Sequence, residues 1–109
     1  MEVTVQELEA WEPGSYHLID MRSTESLSYG TIPGAQSIEA ETLLETPPEN
    51  DGRRFVLVCA RGQYSLDAAE ALEARGYAAY SLTGGYLAWL RRQMERQDAD
   101  RLCQQVETS

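Results

Sequence analysis

The sequence contains no lysine. All nine basic residues are arginines, set against 18 acidic residues for a net charge of −9. Without lysine there is neither a Schiff-base amine nor a P-loop ammonium, and two broad classes of enzyme drop out. An acidic surface repels phosphate backbones and anionic headgroups, so neither nucleic acid nor a membrane is expected as a partner. Histidine occurs once, at position 17. A multi-histidine metal site is thereby excluded, and any Ser-His-Asp arrangement would have to use His17. Cysteine occurs twice, at positions 59 and 103, too seldom for the disulfide framework of a small secreted domain. No apolar run approaches the ~20 residues of a membrane span. The opening Met-Glu-Val-Thr-Val lacks the basic-then-apolar pattern of a signal peptide. These absences lead to the expectation of a cytoplasmic protein whose thiols are available as thiols.

What is present is the composition of an ordinary globular domain. The 109 residues are 42% hydrophobic and 25% charged, enough for one compact unit. The strongest local signal is Arg54-Phe-Val-Leu-Val-Cys59, a short apolar run between Asp51-Gly52 and Gly62 that predicts a strand buried on both faces. An Ala-, Leu- and Glu-rich stretch from Gln63 to Arg75 predicts a helix stopped by Gly76. Tyr77–Leu82 predicts a second short strand, Gly84-Gly85 a break, and Tyr86–Gln97 a second helix with Leu87, Leu90 and Met94 at helical spacing. Upstream, the expectations are an edge strand over Val3–Val5, a helix over Gln6–Trp11, a strand over His17–Asp20 and a helical turn over Ser23–Tyr29. A turn at Ile32-Pro33-Gly34 and a strand over Ala35–Glu39 follow. Residues 45–52 predict a loop on composition. Alternating strands and helices imply an α/β domain with a mostly parallel sheet. The polar tail from Asp98 to Ser109 is expected to be a frayed helix or disordered.

Cys59 is the residue with most chemical promise. It ends the buried strand, and in open parallel sheets ligands bind beyond the carboxyl ends of the strands. The following segment, Ala60-Arg61-Gly62-Gln63-Tyr64, leads into a helix, so its N–H groups can curl around an anion. A thiol in such a field should ionise more easily. Position alone leaves a second reading open, a small buried hydrophobe.

Four motifs bear on that choice. Leu18-Ile-Asp-Met-Arg22 with Glu25 precedes Tyr29-Gly-Thr-Ile-Pro-Gly-Ala35. Cys59-Ala-Arg-Gly-Gln-Tyr-Ser65 is followed by Ala68-Ala-Glu-Ala-Leu72 and Arg75-Gly-Tyr77. Leu82-Thr-Gly-Gly-Tyr-Leu-Ala-Trp89 closes the series. In this order and at this spacing they resemble the rhodanese-like domain, from about Val3 to Leu90. The resemblance implies a three-layer fold, a parallel sheet of about five strands with helices on both faces. It divides the chain into a domain over 1–92 and a helical extension or tail over 93–109. It also implies a sulfurtransferase in which Cys59 takes sulfur from a sulfane donor, thiosulfate or a persulfide, and yields it to a thiol or cyanide-type acceptor. Ala60, Arg61, Gly62, Gln63, Tyr64 and Ser65 would line the anion cradle, with Arg61 as a helper. Asp20 and Arg22 would lie on the same side of the sheet, as an ion pair or as support for the loop. No metal or organic cofactor is implied. The partners are a donor and a thiol acceptor, either of which can be a protein.

The sequence departs from the family at Tyr64, where many members carry arginine, and at Thr31, where a histidine is common. The missing arginine disfavours thiosulfate, a small dianion, and favours a persulfide donor. It also keeps two alternatives open, a non-catalytic binding module and a sulfur-delivery domain of a larger protein. Related phosphatases and arsenate reductases use a Cys-x5-Arg loop; here the sixth residue after Cys59 is Ser65, which argues against that chemistry. Glu25 is expected to cap or pair locally, Ser65 to cap its helix. Trp11, Tyr86 and Trp89 are expected to pack, and His17 to sit at the surface or pack. Cys103 is expected to be an incidental thiol rather than a resolving one.

Overall fold

The structure, a computed structural model, describes residues 1–28 and 30–108, and for residues 98–108 only the backbone. In chain order its elements are β1 (Glu2–Val3), α1 (Val5–Glu9), β2 (Tyr16–Asp20), α2 (Thr24–Leu27) and β3 (Gln36–Ser37). There follow α3 (Ala40–Glu45), β4 (Arg54–Val58), α4 (Gln63–Glu73), β5 (Ala79–Leu82) and α5 (Gly85–Thr108). The five strands form one parallel sheet in the order β1-β5-β4-β2-β3.

Strand β4 is central, and its apolar run explains why. Phe55, Val56, Leu57 and Val58 are each essentially unexposed, as a strand covered on both faces requires. Alternation divides them between two cores. Phe55 and Leu57 join Ile19, Leu43, Ala68, Ala69 and Leu72 under α3 and α4. Val56 and Val58 join Val3, Val5, Leu8 and Leu82, with Ala88 and Trp89 packed against them, under α1 and α5. The five-stranded parallel sheet with helices on both faces is therefore as the sequence implied. Among the described residues no helix is long and apolar enough to cross a membrane.

The element boundaries differ in instructive places. Val5 belongs to a helix, not to an edge strand. Thr4 accepts from the Glu7 amide at 3.1 Å while the Glu7 side chain accepts from the Thr4 amide at 3.2 Å, a capping box that starts α1 one residue after Val3-Thr4. The strand expected over 35–39 shrinks to Gln36–Ser37. Helix α3 has no counterpart in the sequence reading; it is anchored by the fully buried Leu43, with the partly buried Ala40 and Leu44 packed beside it. Helix α5 begins at Gly85 and continues unbroken through residue 92 to Thr108, past the expected end at Gln97. Glu9 of α1 holds it through Arg92, at 3.0 Å, and through Arg96. Position 29 and the side chain of Cys103 lie outside the described residues.

Phe55 carries the largest single load in the α4-side core, stacked on His17 and edge-on to Tyr77. Replacing it with alanine is expected to cost about 3–5 kcal/mol of unfolding free energy. Urea denaturation measures this, and a cost under about 1 kcal/mol would contradict the central role given to β4.

Candidate active site

Cys59 follows β4 directly, at the carboxyl end of the sheet's middle strand, and is 4% exposed. The chain then turns within three residues into α4. Gly62 is the helix N-cap and has φ of 92°. A Cβ at this position would lie 2.9 Å from the amide nitrogen of Gly84 and 3.2 Å from the carbonyl of Leu82, so both the turn and the close approach demand glycine. The result aims backbone donors at one sulfur. The Gly62 amide donates to Cys59 Sγ at 3.1 Å and the Ser65 amide at 3.3 Å. The Ser65 hydroxyl lies 3.3 Å from the same sulfur.

The carbonyls of this loop point the other way, and α5 receives them. Its first free amides, of Tyr86 and Leu87, donate to the carbonyls of Cys59 at 2.8 Å and Ala60 at 3.2 Å. Helix ends leave such amides unpaired, so each element satisfies the other. Gly85 makes the approach: a Cβ there would sit 2.3 Å from the Cys59 carbonyl oxygen.

A chain of hydroxyls continues behind the sulfur. Ser65 Oγ is 2.6 Å from Ser81 Oγ, and Ser81 Oγ donates to the Gly62 carbonyl at 3.3 Å. Both serines are fully buried. Burial pushes the Cys59 thiol up, but hydrogen bonds from the Ser65 hydroxyl and from the amides of Ser65, Gly62 and Arg61 outweigh it. Together they hold the thiol below its ordinary value.

In front of the sulfur lies a cavity of about 310 Å³. Met21, Ala40, Ala60 and Tyr64 give it apolar walls; Arg22, Ser23 and Ser26 supply polar groups. Arg22 is the one cation in that lining, and its charge is already met. Its guanidinium grips both carboxylate oxygens of Asp20, donates to the Gly30 carbonyl at 2.6 Å and lies over the Tyr86 ring at 3.9 Å. Asp20 and Arg22 are both buried and paired with each other, and Arg22 borders the cavity. Arg61 and Gln63 have exposed side chains, and Tyr64 stands 76% exposed at the rim. His17 lies elsewhere, paired with Asp51 at 2.8 Å. No group of three or more His, Cys, Asp or Glu side chains suited to a metal occurs among the described residues. The sequence reading passed over Ser81 and took Tyr86 as packing only. A serine between apolar neighbours in a strand that proves interior was the available signal for the first.

Residues 4–92 match the family model of the rhodanese-like domain. The human single-domain sulfurtransferase TSTD1 superposes with a TM-score of 0.74 at 28% identity, over 83% of this chain and 95% of its own. A rhodanese-like domain protein from Staphylococcus aureus gives 0.72 at 32% identity, over 82% and 91%. A rhodanese-related protein from Thermoplasma volcanium gives 0.75 at 25% identity, over 84% and 91%.

A thiol whose pKa is lowered on folding adds stability that is present above the unfolded-state pKa and lost as pH falls through the native one. In a Cys103→Ser background, the stability of the Cys59 chain minus that of Cys59→Ala should therefore grow as pH rises from the lowered native value towards the ordinary thiol range, about 8.5. Urea unfolding across that window tests this; a pH-independent difference would refute the stabilised thiolate.

Proposed function

The chain belongs to the rhodanese-like domain family, and on that premise we propose that it is a sulfurtransferase that carries sulfane sulfur on Cys59. The observation that supports this most is the convergence of the Gly62 and Ser65 amides and the Ser65 hydroxyl on one buried sulfur. These donors favour the thiolate and need no separate base. The thiolate attacks the outer sulfur of a donor R–S–SH, and its lone pair becomes the new S–S bond. The donor's own S–S bond breaks, its electron pair leaving on R–S⁻. Cys59 is then a persulfide, its outer sulfur keeping the hydrogen. An acceptor thiolate attacks that outer sulfur in turn, forms its own persulfide and returns Cys59 as thiolate. No external oxidant or reductant is consumed, and the two half-reactions give ping-pong kinetics. The amides that hold the thiolate remain to hold negative charge on the persulfide.

The cavity argues for the class of donor. Thiosulfate brings two negative charges, and the lining offers only Arg22, neutralised by Asp20. A persulfide on an organic thiol brings less charge and an apolar stem suited to Met21, Ala40 and Ala60. The exposed Tyr64 ring at the rim suits a peptide carrier, so a protein persulfide fits best. The chemistry requires Cys59 as a free thiol, which suits the cytoplasm.

Intact-mass spectrometry should find one added sulfur after incubation with glutathione persulfide, removed by cyanide and absent in Cys59→Ser. Absence of the adduct on the unsubstituted chain with every persulfide tried would overturn the reading. Tyr64→Arg should raise kcat/KM for thiosulfate by about five- to tenfold, the worth of one charge-assisted hydrogen bond at an exposed rim. Steady-state thiocyanate formation measures it, and an unchanged value would place the donor selectivity elsewhere.

A further inference from the structure

We propose that Ser81 of β5, which touches neither the sulfur nor the cavity, is a positioning residue that holds Cys59 in its ionised form. It does so through Ser65, whose hydroxyl and amide both reach that sulfur. The proposal rests on Cys59 as the ionising nucleophile.

The interior of a sheet is a costly place for a hydroxyl. β5 lies between β1 and β4, and Ser81 is fully buried between Tyr80 and Leu82, facing the same side as the fully buried Ala79. An apolar residue there would carry no desolvation cost, whereas a buried hydroxyl must be hydrogen-bonded to be tolerated. Ser81 has two partners, and they are the Ser65 hydroxyl and the Gly62 carbonyl. Gly62 and Ser65 also donate their amides to Cys59 Sγ. While Cys59 is a thiol, one hydroxyl thus touches both sides of the cradle from the far side of the loop.

Its single hydrogen makes the brace two-state. With Cys59 as a thiol, every hydrogen runs one way: S–H to Ser65 Oγ, Ser65 O–H to Ser81 Oγ, Ser81 O–H to the Gly62 carbonyl. When the thiol loses its proton to solvent through the cavity, the sulfur becomes an acceptor only. The Ser65 O–H turns onto it, and the Ser81 O–H turns onto Ser65 Oγ. No proton passes along the chain; two hydroxyls rotate and each retains a partner. In the ionised state Ser65 receives a hydrogen bond while giving one, which strengthens the bond it gives. The Gly62 carbonyl gives up an oxygen–oxygen contact of 3.3 Å, long beside the 2.6 Å of the Ser65–Ser81 pair. Without Ser81 the Ser65 hydroxyl would lose both its aim and this polarisation.

The test titrates the thiol directly, in a Cys103→Ser background, by the rate of iodoacetamide alkylation against pH. Ser81→Ala should raise the midpoint by about half to one pH unit, the worth of one modest hydrogen bond. Ser81→Thr, which keeps the hydroxyl, should bring it back towards the parent. A merely structural serine would lower the melting temperature and leave the midpoint in place, and that result in Ser81→Ala would overturn the proposal. Should Ser81→Ala not fold, Ser81→Cys keeps the volume with a weaker donor, its alkylation followed by mass spectrometry of the Cys59 peptide alone; an upward midpoint supports the proposal and an unchanged one overturns it. Because alkylation needs no sulfur donor, the outcome is separate from that of the sulfur-transfer assay. A chain that titrates as expected but accepts no sulfur would refute the sulfurtransferase reading and leave Ser81 in its role.

Discussion

The peptide units after Cys59 must face two ways at once, carbonyls outward and amides onto the sulfur. Most of the architecture around them follows from that requirement. The outward carbonyls of Cys59 and Ala60 need donors, and the free amides at the start of α5 provide them. That docking brings Gly85 against the Cys59 carbonyl so closely that no side chain fits. The inward amides need a tight turn, which Gly62 permits at a positive φ, packed on the Leu82–Gly84 backbone. A glycine pair at the head of α5 and a glycine at the head of α4 are therefore one solution to one problem of backbone direction.

The same economy governs charge. The chain carries a net charge of −9, yet its site is arranged to hold an anion. It does so with fixed dipoles at short range, not with side-chain cations. The buried Arg22 serves as a post: it joins the end of β2 to the Gly30 backbone and to the Tyr86 ring, while Asp20 cancels its charge. Removing either partner would leave a buried ion uncompensated, which costs far more than the pair itself contributes. Long-range repulsion by the acidic surface is screened within about 8 Å at physiological salt. The amides, in contact with the sulfur, are not.

Much of this was legible in the sequence, for reasons that can be named. Phe55-Val-Leu-Val58 announces a doubly buried strand because no other element of that length is apolar at every position. Cys59, Gly62 and Ser65 stand in a segment between strand and helix, where backbone donors collect. Helix α3 was not legible: of its six residues only Leu43 is fully buried, with Ala40 and Leu44 partly buried beside it, too short a stretch to show a period. The start of α1 was misassigned although Thr4-x-x-Glu7 spells a capping box, because Val3-Thr-Val5 alternates like a strand. Ser81 stayed hidden because its meaning depends on β5 lying inside the sheet, and strand order is a tertiary fact. Tyr64 was legible as an absent cation; its exposure at the rim was not.

The position of β1 has a consequence for how this molecule comes into being. Val3 pairs with Leu82, so the first strand of the chain closes the sheet beside the last. Loop closure over so long a stretch carries an entropic penalty that only the finished sheet repays. A nascent chain emerging from the ribosome holds its amino-terminal strand unpaired until β5 has been synthesised and laid against β4. A parallel sheet dominated by such distant pairings folds slowly for its size. The β4 edge that β5 will cover is open throughout that interval, and it is then that the molecule is most exposed to association with copies of itself.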